Sequence, residues 1–389
     1  MAARQRTAPA DTPADRGGRD PAAHPAAYGG QGGDPHGGLS GGLHGGPAGS
    51  GAAGTGPEAH RRAVAAEFAR MADEGRLDLP LPGGGRTRQR WRALTAVAER
   101  DLALARLVEG HTDALAILAE LRAAGVPGVP DPAPGSRWGV WAAEPPGPGL
   151  RAVRGPDGGF LLSGPKPYCS GARVCTHALV TAREGEERRL FAVALDPATA
   201  APVPDSWQSA GMAGSDTLDV AFASAPAVPV GPPGAYLERP GLHHGGVGVA
   251  ACWYGGARAV ARTLRDAAAR RPPEPHALAH LGAADAALEA VDALLDRAAA
   301  ETDADPGDRA GGAALRALRV RSFTEAVASE VLHRTGRALG AGPLVHDPVH
   351  ARTTADLTVY LRQHHGERDL AALGAAVADA RRAAGEEDR

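Results

Sequence analysis

Hydrophobic positions recur with helical spacing from about residue 60 onward. Val64, Phe68 and Met71 fall on one face, at the i, i+4 and i+7 positions of an amphipathic helix. Further on, the stretch 101–121 is so rich in leucine and alanine that it predicts a buried helix pair or one long helix. These patterns predict an N-terminal helical domain over residues 59–136.

Alternation replaces helical spacing in the middle of the chain. The stretches 176–184 and 188–196 alternate between apolar and polar residues or run apolar, as half-buried strands do. The stretch 159–172 reads as a strand, a Gly-Pro turn and a second extended piece, and 209–228 as a glycine-rich turn that leads into another strand. We therefore predict an antiparallel β-barrel in a middle domain of residues 137–238.

Helical spacing returns after Pro240 and continues almost to the end of the chain. It predicts four or five long helices, in the stretches 247–271, 276–300, 313–339 and 349–384. These helices suit a C-terminal four-helix bundle over residues 239–384. The predicted fold class is therefore α+β, with a helical domain on either side of a barrel.

Residues 1–58 show neither pattern. They are rich in glycine, proline and alanine, and such a segment cannot bury enough apolar surface to offset its chain entropy, so we predict a disordered tail. The stretch 38–42 fits the nucleophile-elbow pattern and 49–54 fits the dinucleotide fingerprint. Both motifs need a preceding strand and a following helix, which are missing here, so we treat both as chance matches.

The composition excludes some classes of function. The chain has 389 residues and a formal net charge of −3 at pH 7, and Lys166 is its single lysine. Because no basic cluster is present, we do not expect binding to nucleic acid. The three cysteines lack metal-ligand spacing and indicate reduced thiols, and no apolar run is long enough to span a bilayer. We expect a soluble cytoplasmic protein that does not bind membranes.

Two short motifs carry a family resemblance. Gly164, Lys166, Tyr168 and Ser170 follow the order Gly-x-Lys-x-aromatic-x-Ser, which resembles the flavin wall in the middle domain of the acyl-CoA dehydrogenase superfamily. In that family the aromatic ring covers the isoalloxazine and the hydroxyl bonds near its N5 edge. A plain hairpin would explain this motif alone. The stretch 211–217, Gly-Met-x-Gly-Ser-x-Thr, is a second match in the right order and at the right separation.

The resemblance implies further contacts to the cofactor. Arg271 aligns with an arginine that contacts the flavin pyrophosphate of a neighbouring subunit. Arg334 and Gly336 fall where relatives form a glycine-rich turn around the adenosine-diphosphate part of FAD, and Arg334 replaces one of the glycines. A loop without those glycines approaches a phosphate less closely. The resemblance thus implies FAD, with FMN as the alternative, in a homodimer or homotetramer that shares flavin across an interface.

The usual catalytic base of the family is missing. Residues 364–367 occupy the segment in which relatives carry Tyr-Glu-Gly-Thr, so His365 stands where a glutamate removes the α-proton of the substrate. The other position used in the family falls at about Gly245. An imidazole is a competent base near neutral pH, so His365 is the candidate catalytic residue, aided or replaced by Glu367. Alternatively, these residues form only the polar start of a helix.

The function that the resemblance implies is FAD-dependent α,β-dehydrogenation of an acyl-CoA thioester, with an electron-transfer flavoprotein as partner. One alternative is a two-component flavin monooxygenase supplied by a flavin reductase. His111, Ser170, the sequence His346-Asp347-Pro348 and the missing glutamate favour that alternative. A non-catalytic flavin-binding homologue is the third. His346 and His350 have the spacing of a metal-binding pair, but without a third ligand we expect no metal site.

Overall fold

A computed structural model describes residues 56–387 except Arg271 and Pro273, with side chains as far as residue 382. Of the predicted disordered tail, residues 1–55 lie outside this described part, and residues 57 and 58 already belong to the first helix. None of the described helices is long and apolar enough to cross a membrane.

Three helices form the N-terminal part of the described chain: α1 (Pro57–Asp73), α2 (Thr87–Arg100) and α3 (Leu102–Ala123). Pro57 opens α1, where the N–H that proline lacks would have no partner within the helix. Asp101 caps α3 by accepting a hydrogen bond from the backbone N–H of Leu104 at 2.9 Å. Because α3 is continuous, the stretch 101–121 is one long helix rather than a helix pair.

Seven strands make up the sheet: β1 (Trp138–Trp141), β2 (Arg151–Arg154), β3 (Phe160–Cys169), β4 (His177–Glu184), β5 (Glu187–Ala194), β6 (Ala200–Pro202) and β7 (Leu218–Pro229). The strands predicted from 176–184 and 188–196 are confirmed as β4 and β5. The Gly-Pro turn predicted within 159–172 is wrong, because β3 runs through it as one strand. The register of β3 against β7 shifts at Gly164, so the irregularity is accommodated as a bulge.

The sheet closes into a small barrel. β4 pairs with β5, β5 with β7, β7 with β3, β3 with β2, and β2 returns to β4. The predicted purely antiparallel barrel is wrong in one respect, since β1 and β2 both run parallel to β4. A long connection that contains the β2–β3 hairpin separates β1 from β4, and this length lets the chain return in the same direction.

Lys166 ties the barrel together from inside. Its side chain is 1% exposed. Its ammonium donates to the backbone oxygen of Thr181 at 2.7 Å and to the hydroxyl oxygen at 2.9 Å. The Thr181 hydroxyl donates to Glu144 at 2.8 Å, and Arg188 lies 2.7 Å from the same carboxylate. Lys166, a residue of the first family motif, therefore holds β3 to β4, and Glu144 joins this network from the segment after β1.

The C-terminal part is helical. Its members are α4 (Ala235–Glu238), α5 (Gly241–Arg270), α6 (Pro275–Ala304), α7 (Ala313–Leu339), α8 (Gly342–His346), α9 (Pro348–Tyr360) and α10 (Glu367–Glu387). The stretch 349–384 contains two helices, because the chain leaves the helical conformation at His364 and turns through Gly366 at a φ of +56°. The helix predicted from 247 begins earlier, at Gly241.

Helix α5 lies at the centre of the helical part and packs against α2, α3, α6, α7 and α9. One contact requires a glycine, since a Cβ on Gly255 would lie only 2.4 Å from the backbone oxygen of Thr95 in α2. The apolar faces of these helices form one large core that includes Phe68, Trp91 and Trp253. The barrel has a core of its own. A site between the helical core and the core of the barrel therefore has a rigid wall on each side.

Candidate functional site

The end of β3 has an unusual backbone at Tyr168. This residue has a φ of +59°, a region that a bulky residue occupies only where the surrounding structure enforces it. Its backbone N–H donates to Asp219 at 3.3 Å, and its side chain is 54% exposed. Two residues later, Ser170 is buried. The strand end thus presents an open aromatic surface beside a buried hydroxyl.

The Ser170 hydroxyl is oriented by two donors. Its oxygen accepts from Arg106 Nε at 3.2 Å and from the Thr217 hydroxyl at 3.0 Å. The Ser215 hydroxyl lies 2.7 Å from that of Thr217 and continues the chain of hydroxyls. Where Thr217 donates to Ser170, the proton of Ser170 is available to a bound molecule. In the alternative arrangement Thr217 donates to Ser215, whose own proton goes to the backbone oxygen of Met212 at 2.7 Å, and Ser170 donates to Thr217.

A buried ion pair on α3 faces Ser170. Arg106 contacts Glu109 one helical turn further on, and both side chains are largely buried. Burial alone would lower the pKa of Arg106, but Glu109 outweighs burial and raises it. Burial raises the pKa of Glu109, and the like charge of Asp113 adds to this while Arg106 opposes it. Burial therefore outweighs the Arg106 contact and holds the pKa of Glu109 above its usual value.

Two polar groups from other helices complete this interior. Tyr360 of α9 is 2% exposed, and its hydroxyl has no hydrogen-bond partner in the described part of the chain. Burial raises the pKa of the Tyr360 hydroxyl, and the nearby Cys252 and Glu109 raise it further. Trp253 Nε1 of α5 is buried and likewise unpartnered among the described residues. Buried donors without partners point to a bound molecule or water between α3, α5 and α9.

The start of α5 approaches α3 closely. Gly245 and Gly246 carry no side chain there, and a Cβ on Gly245 would lie 2.7 Å from Asp113 Oδ1. Asp113 forms no hydrogen bond or ion pair within the described residues. Arg321 of α7 donates to the backbone oxygen of Gly246 at 3.0 Å and stacks on the ring of Trp253 at 4.7 Å. A carboxylate from α3 thus lies beside the glycine of α5.

The loop 211–217 wedges between the barrel and the helices. A Cβ on Gly211 would lie 2.3 Å from the backbone oxygen of Ala355 in α9, and one on Gly214 would meet His60 at 2.6 Å. The backbone N–H of Met212 donates to the buried Asp356. The second family motif therefore fixes the position of Thr217, and through it that of Ser170.

We expect Asp356→Asn to stabilise the protein at alkaline pH. Burial raises the pKa of Asp356 to about 6, so the native state keeps this proton more tightly than the unfolded chain. The unfolding free energy therefore falls as the pH rises from about 4 to about 6. Asparagine still accepts from Met212 and never ionises. Urea unfolding at pH 8 should show a gain of about 1–2 kcal/mol, which disappears at pH 4. An equal gain at both pH values would contradict this explanation.

The structure places the two predicted catalytic residues at the surface. His365 has a 62% exposed side chain, and its ring lies 3.2 Å from Asp369. Glu367 is exposed at the start of α10. The neighbouring His364 is buried instead, 3.0 Å from the Ser322 hydroxyl, and burial lowers its pKa. Within the described residues no hydrogen bond or ion pair joins His365 or Glu367 to Ser170, and their catalytic role stays a prediction.

The predicted contacts to the adenosine-diphosphate part of FAD lie on the surface of α7. Arg334 pairs with Glu330 at 2.7 Å, four residues earlier on the same helix. Gly336 lies within α7, which continues to Leu339, so the helix predicted over 313–339 is confirmed and the glycine-rich turn of the relatives is not formed here. The i, i+4 ion pair and the lost glycines favour helix over turn. Arg271, the remaining predicted contact, lies outside the described residues.

Sequence reasoning missed Arg106 and Glu109. The signal was present, since three charged residues recur at i, i+3 and i+7 in an otherwise apolar helix: Arg106, Glu109 and Asp113. His111, which the sequence associates with the monooxygenase branch, faces elsewhere on α3. Its Nδ1 accepts from the backbone N–H of Trp138 at 3.1 Å, and burial lowers its pKa to about 4. His111 is thus neutral at pH 7 and joins α3 to β1.

Solved structures of flavin-dependent enzymes have this fold. KijD3, solved with FMN and dTDP-3-amino-2,3,6-trideoxy-4-keto-3-methyl-D-glucose, matches at a TM-score of 0.62 and 21% identity, over 78% of this chain and 86% of that one. Dibenzothiophene monooxygenase TdsC from Paenibacillus sp. A11-2 matches at 0.60 and 18%, over 82% and 96%. Methanesulfinate monooxygenase MsuC from Pseudomonas fluorescens matches at 0.63 and 20%, over 82% and 96%.

No protein-family model matches the chain, and no curated protein matches it by sequence. At these identities, structural similarity defines the fold alone. The chain therefore has the acyl-CoA dehydrogenase-like fold, with a small barrel and many helices, as the motifs predicted.

Proposed function

We propose that this protein is a flavin-dependent monooxygenase of the two-component kind, which receives reduced flavin from a separate flavin reductase. The observation that carries the proposal is the charged helical wall opposite Ser170. Arg106 and Glu109 lie there as a buried ion pair, with Tyr360 close to both. Such a wall suits a small polar substrate.

The same wall disfavours a fatty acyl thioester. An acyl chain packed against a buried ion pair would desolvate charges without offering hydrogen bonds in return. In addition, neither of the two positions where relatives carry the catalytic base has a buried carboxylate here. Gly245 has no side chain, and His365 is exposed. Acyl-CoA dehydrogenation therefore becomes the second candidate.

The chain offers residues that fit a flavin. Tyr168 gives an exposed ring to cover the isoalloxazine, and Ser170 has a hydroxyl to donate at its edge. Reduced flavin, when bound, supplies the electrons that activate molecular oxygen. Arg106 and Thr217 hold the Ser170 hydroxyl in place, the Arg106–Glu109 ion pair faces the proposed substrate space, and the packed helices exclude water. FMN is the better proposal than FAD, since α7 lacks the turn expected to take adenosine diphosphate.

The solved neighbours support this choice. TdsC and MsuC are named as monooxygenases, and KijD3 and TdsC were solved with FMN. The nitrososynthase from Micromonospora carbonacea var. africana has the same fold, with a TM-score of 0.63 at 20% identity. By analogy we further propose a cytoplasmic homodimer or homotetramer, whose partners are the reductase and a small-molecule substrate.

One observation favours the second candidate. The carboxylate of Asp113 lies 2.7 Å from the place that the Cβ of a side chain at position 245 would occupy. Helix α3 therefore supplies a carboxylate at one of the two positions where dehydrogenases carry their base. In that case an acyl-CoA would bleach bound oxidised flavin without oxygen, and Asp113→Asn would abolish the bleaching.

The visible spectrum of the purified protein distinguishes the candidates. We expect no change when acyl-CoAs are added anaerobically to protein reconstituted with oxidised FMN. We also expect tight binding of reduced FMN, and a reaction with oxygen that differs from that of free reduced FMN. Anaerobic bleaching by an acyl-CoA would overturn the monooxygenase in favour of the dehydrogenase. Binding of flavin in neither state would leave the non-catalytic homologue.

A further inference from the structure

A cavity lies between α2, α3 and the segment that precedes α2. Its volume is about 370 Å³, within the range of small-molecule sites. We call it the α2 cleft, and its walls are the segment 77–81, the first turns of α2, and Thr112 and Leu115 of α3. The walls are divided between apolar side chains, such as Leu77 and Leu115, and polar ones.

Arg90 is the buried cation of the α2 cleft. It is 4% exposed, and Nη1 donates to the backbone oxygen of Pro80 at 3.3 Å. Within the described residues it forms no ion pair and no other side-chain hydrogen bond. Burial lowers its pKa, and the carboxylates of Asp113 and Glu109 on α3 oppose this from beyond ion-pair distance. A buried guanidinium with free donors is destabilising unless an anion approaches it.

Arg88 provides the contrast on the same helix. It points toward α6 and pairs with Asp292 at 2.8 Å and with Asp296. Arg90 has no such carboxylate and lines a cavity instead. Two exposed charges of opposite sign, Asp78 and Arg86, also line the cleft. Arg90 is thus the only deeply buried charge among the residues that line the α2 cleft.

The walls of the α2 cleft are held in place. The Thr87 hydroxyl accepts from the backbone N–H of Gly83 at 2.7 Å and donates to Asp303 at 2.6 Å. The backbone N–H of Gly85 donates to the same carboxylate at 3.0 Å. These bonds fix the loop before α2 against α6. A ligand would therefore meet a preorganised site and lose little affinity to ordering it.

We propose that the α2 cleft binds a small ligand that has an anionic group, carboxylate or phosphate, on a short apolar body. Arg90 binds the anion, the Gln89 amide offers a further hydrogen bond, and the leucines contact the body. The α2 cleft adjoins the charged wall opposite Ser170, because Thr112 precedes Asp113 on α3. The inference rests on the cavity and on Arg90, and it does not depend on the proposed monooxygenase function.

Isothermal titration calorimetry on the full-length protein tests this site, with phenyl phosphate, benzoate and neutral benzamide as probes. We expect at least one anion to bind and benzamide to bind at least tenfold more weakly. Arg90→Gln should weaken anion binding about tenfold or more, because a hydrogen bond to a charged group is lost. Leu115→Trp should block the cleft without removing charge. Arg88→Gln is the matched control, and it should bind like the wild type.

Three results would overturn the proposal. The first is that neither anion binds the wild type. The second is that benzamide binds as tightly as the anions, which means that charge is not recognised. The third is unchanged binding in Leu115→Trp, which would place the anion elsewhere, including the flavin site. If Arg90→Gln fails to fold, Leu115→Trp decides the question alone.

Discussion

Ser170→Ala is expected to weaken the binding of reduced FMN by about tenfold to a hundredfold without unfolding the protein. The Ser170 oxygen lies within hydrogen-bond distance of Arg106 and Thr217, and we propose that its own proton bonds the flavin. Alanine removes this hydroxyl and leaves Arg106 and Thr217 without their partner. Anaerobic titration of reduced FMN, followed by fluorescence or absorbance, measures the change.

The control for Ser170→Ala is Ser163→Ala on the same strand. Ser163 accepts from the backbone N–H of Ser224 at 3.0 Å and does not contact the site. Thr217→Val tests whether Thr217 acts through Ser170. If it does, the double variant binds reduced FMN no more weakly than Ser170→Ala alone. Additive losses would show that Thr217 acts independently, and normal affinity in Ser170→Ala would refute the assigned role of the hydroxyl.

Much of the fold was predictable because local patterns and global packing agree. The helical spacing in α3 and the alternation in β4 and β5 indicated these elements directly. The parallel pairing of β1 with β4 was not predictable, since strand direction depends on a long-range pairing that no local pattern encodes. The same limit applies to the bulge at Gly164, where a Gly-Pro pair resembles a turn. The proposed domain boundaries stay predictions.

The site was predictable only where a side chain is fixed by its own strand. Tyr168 and Ser170 could be paired from their spacing at the end of β3, and their role as a flavin wall stays a prediction. Arg106 comes from a helix 64 residues away along the chain, and sequence order does not show that it contacts Ser170. Likewise, His364 is buried and His365 is exposed because of where the chain breaks between α9 and α10. A break shifted by one residue would change which of the two histidines is buried.

Lys166→Ala is expected to destabilise the protein by about 2–5 kcal/mol at pH 7, the usual range for truncating a long buried side chain to alanine. The change leaves the Thr181 oxygens without the ammonium and opens a cavity inside the barrel. Burial lowers the pKa of Lys166 to about 8, so the unfolded chain binds this proton more tightly than the native state. The unfolding free energy of the wild type should therefore rise between about pH 8 and pH 10.5.

Arg188→Ala is the matched control, because Arg188 pairs with the same carboxylate, Glu144, from a partly exposed position. Its loss should be below about 1 kcal/mol. Lys166→Met, which keeps length but not charge, should fall between the two and lose the alkaline rise in stability. Urea unfolding at pH 7, 8 and 10 measures all three variants. Equal losses in Lys166→Ala and Arg188→Ala would mean that the barrel does not depend on the buried ammonium, and Lys166 would then be free to serve another role.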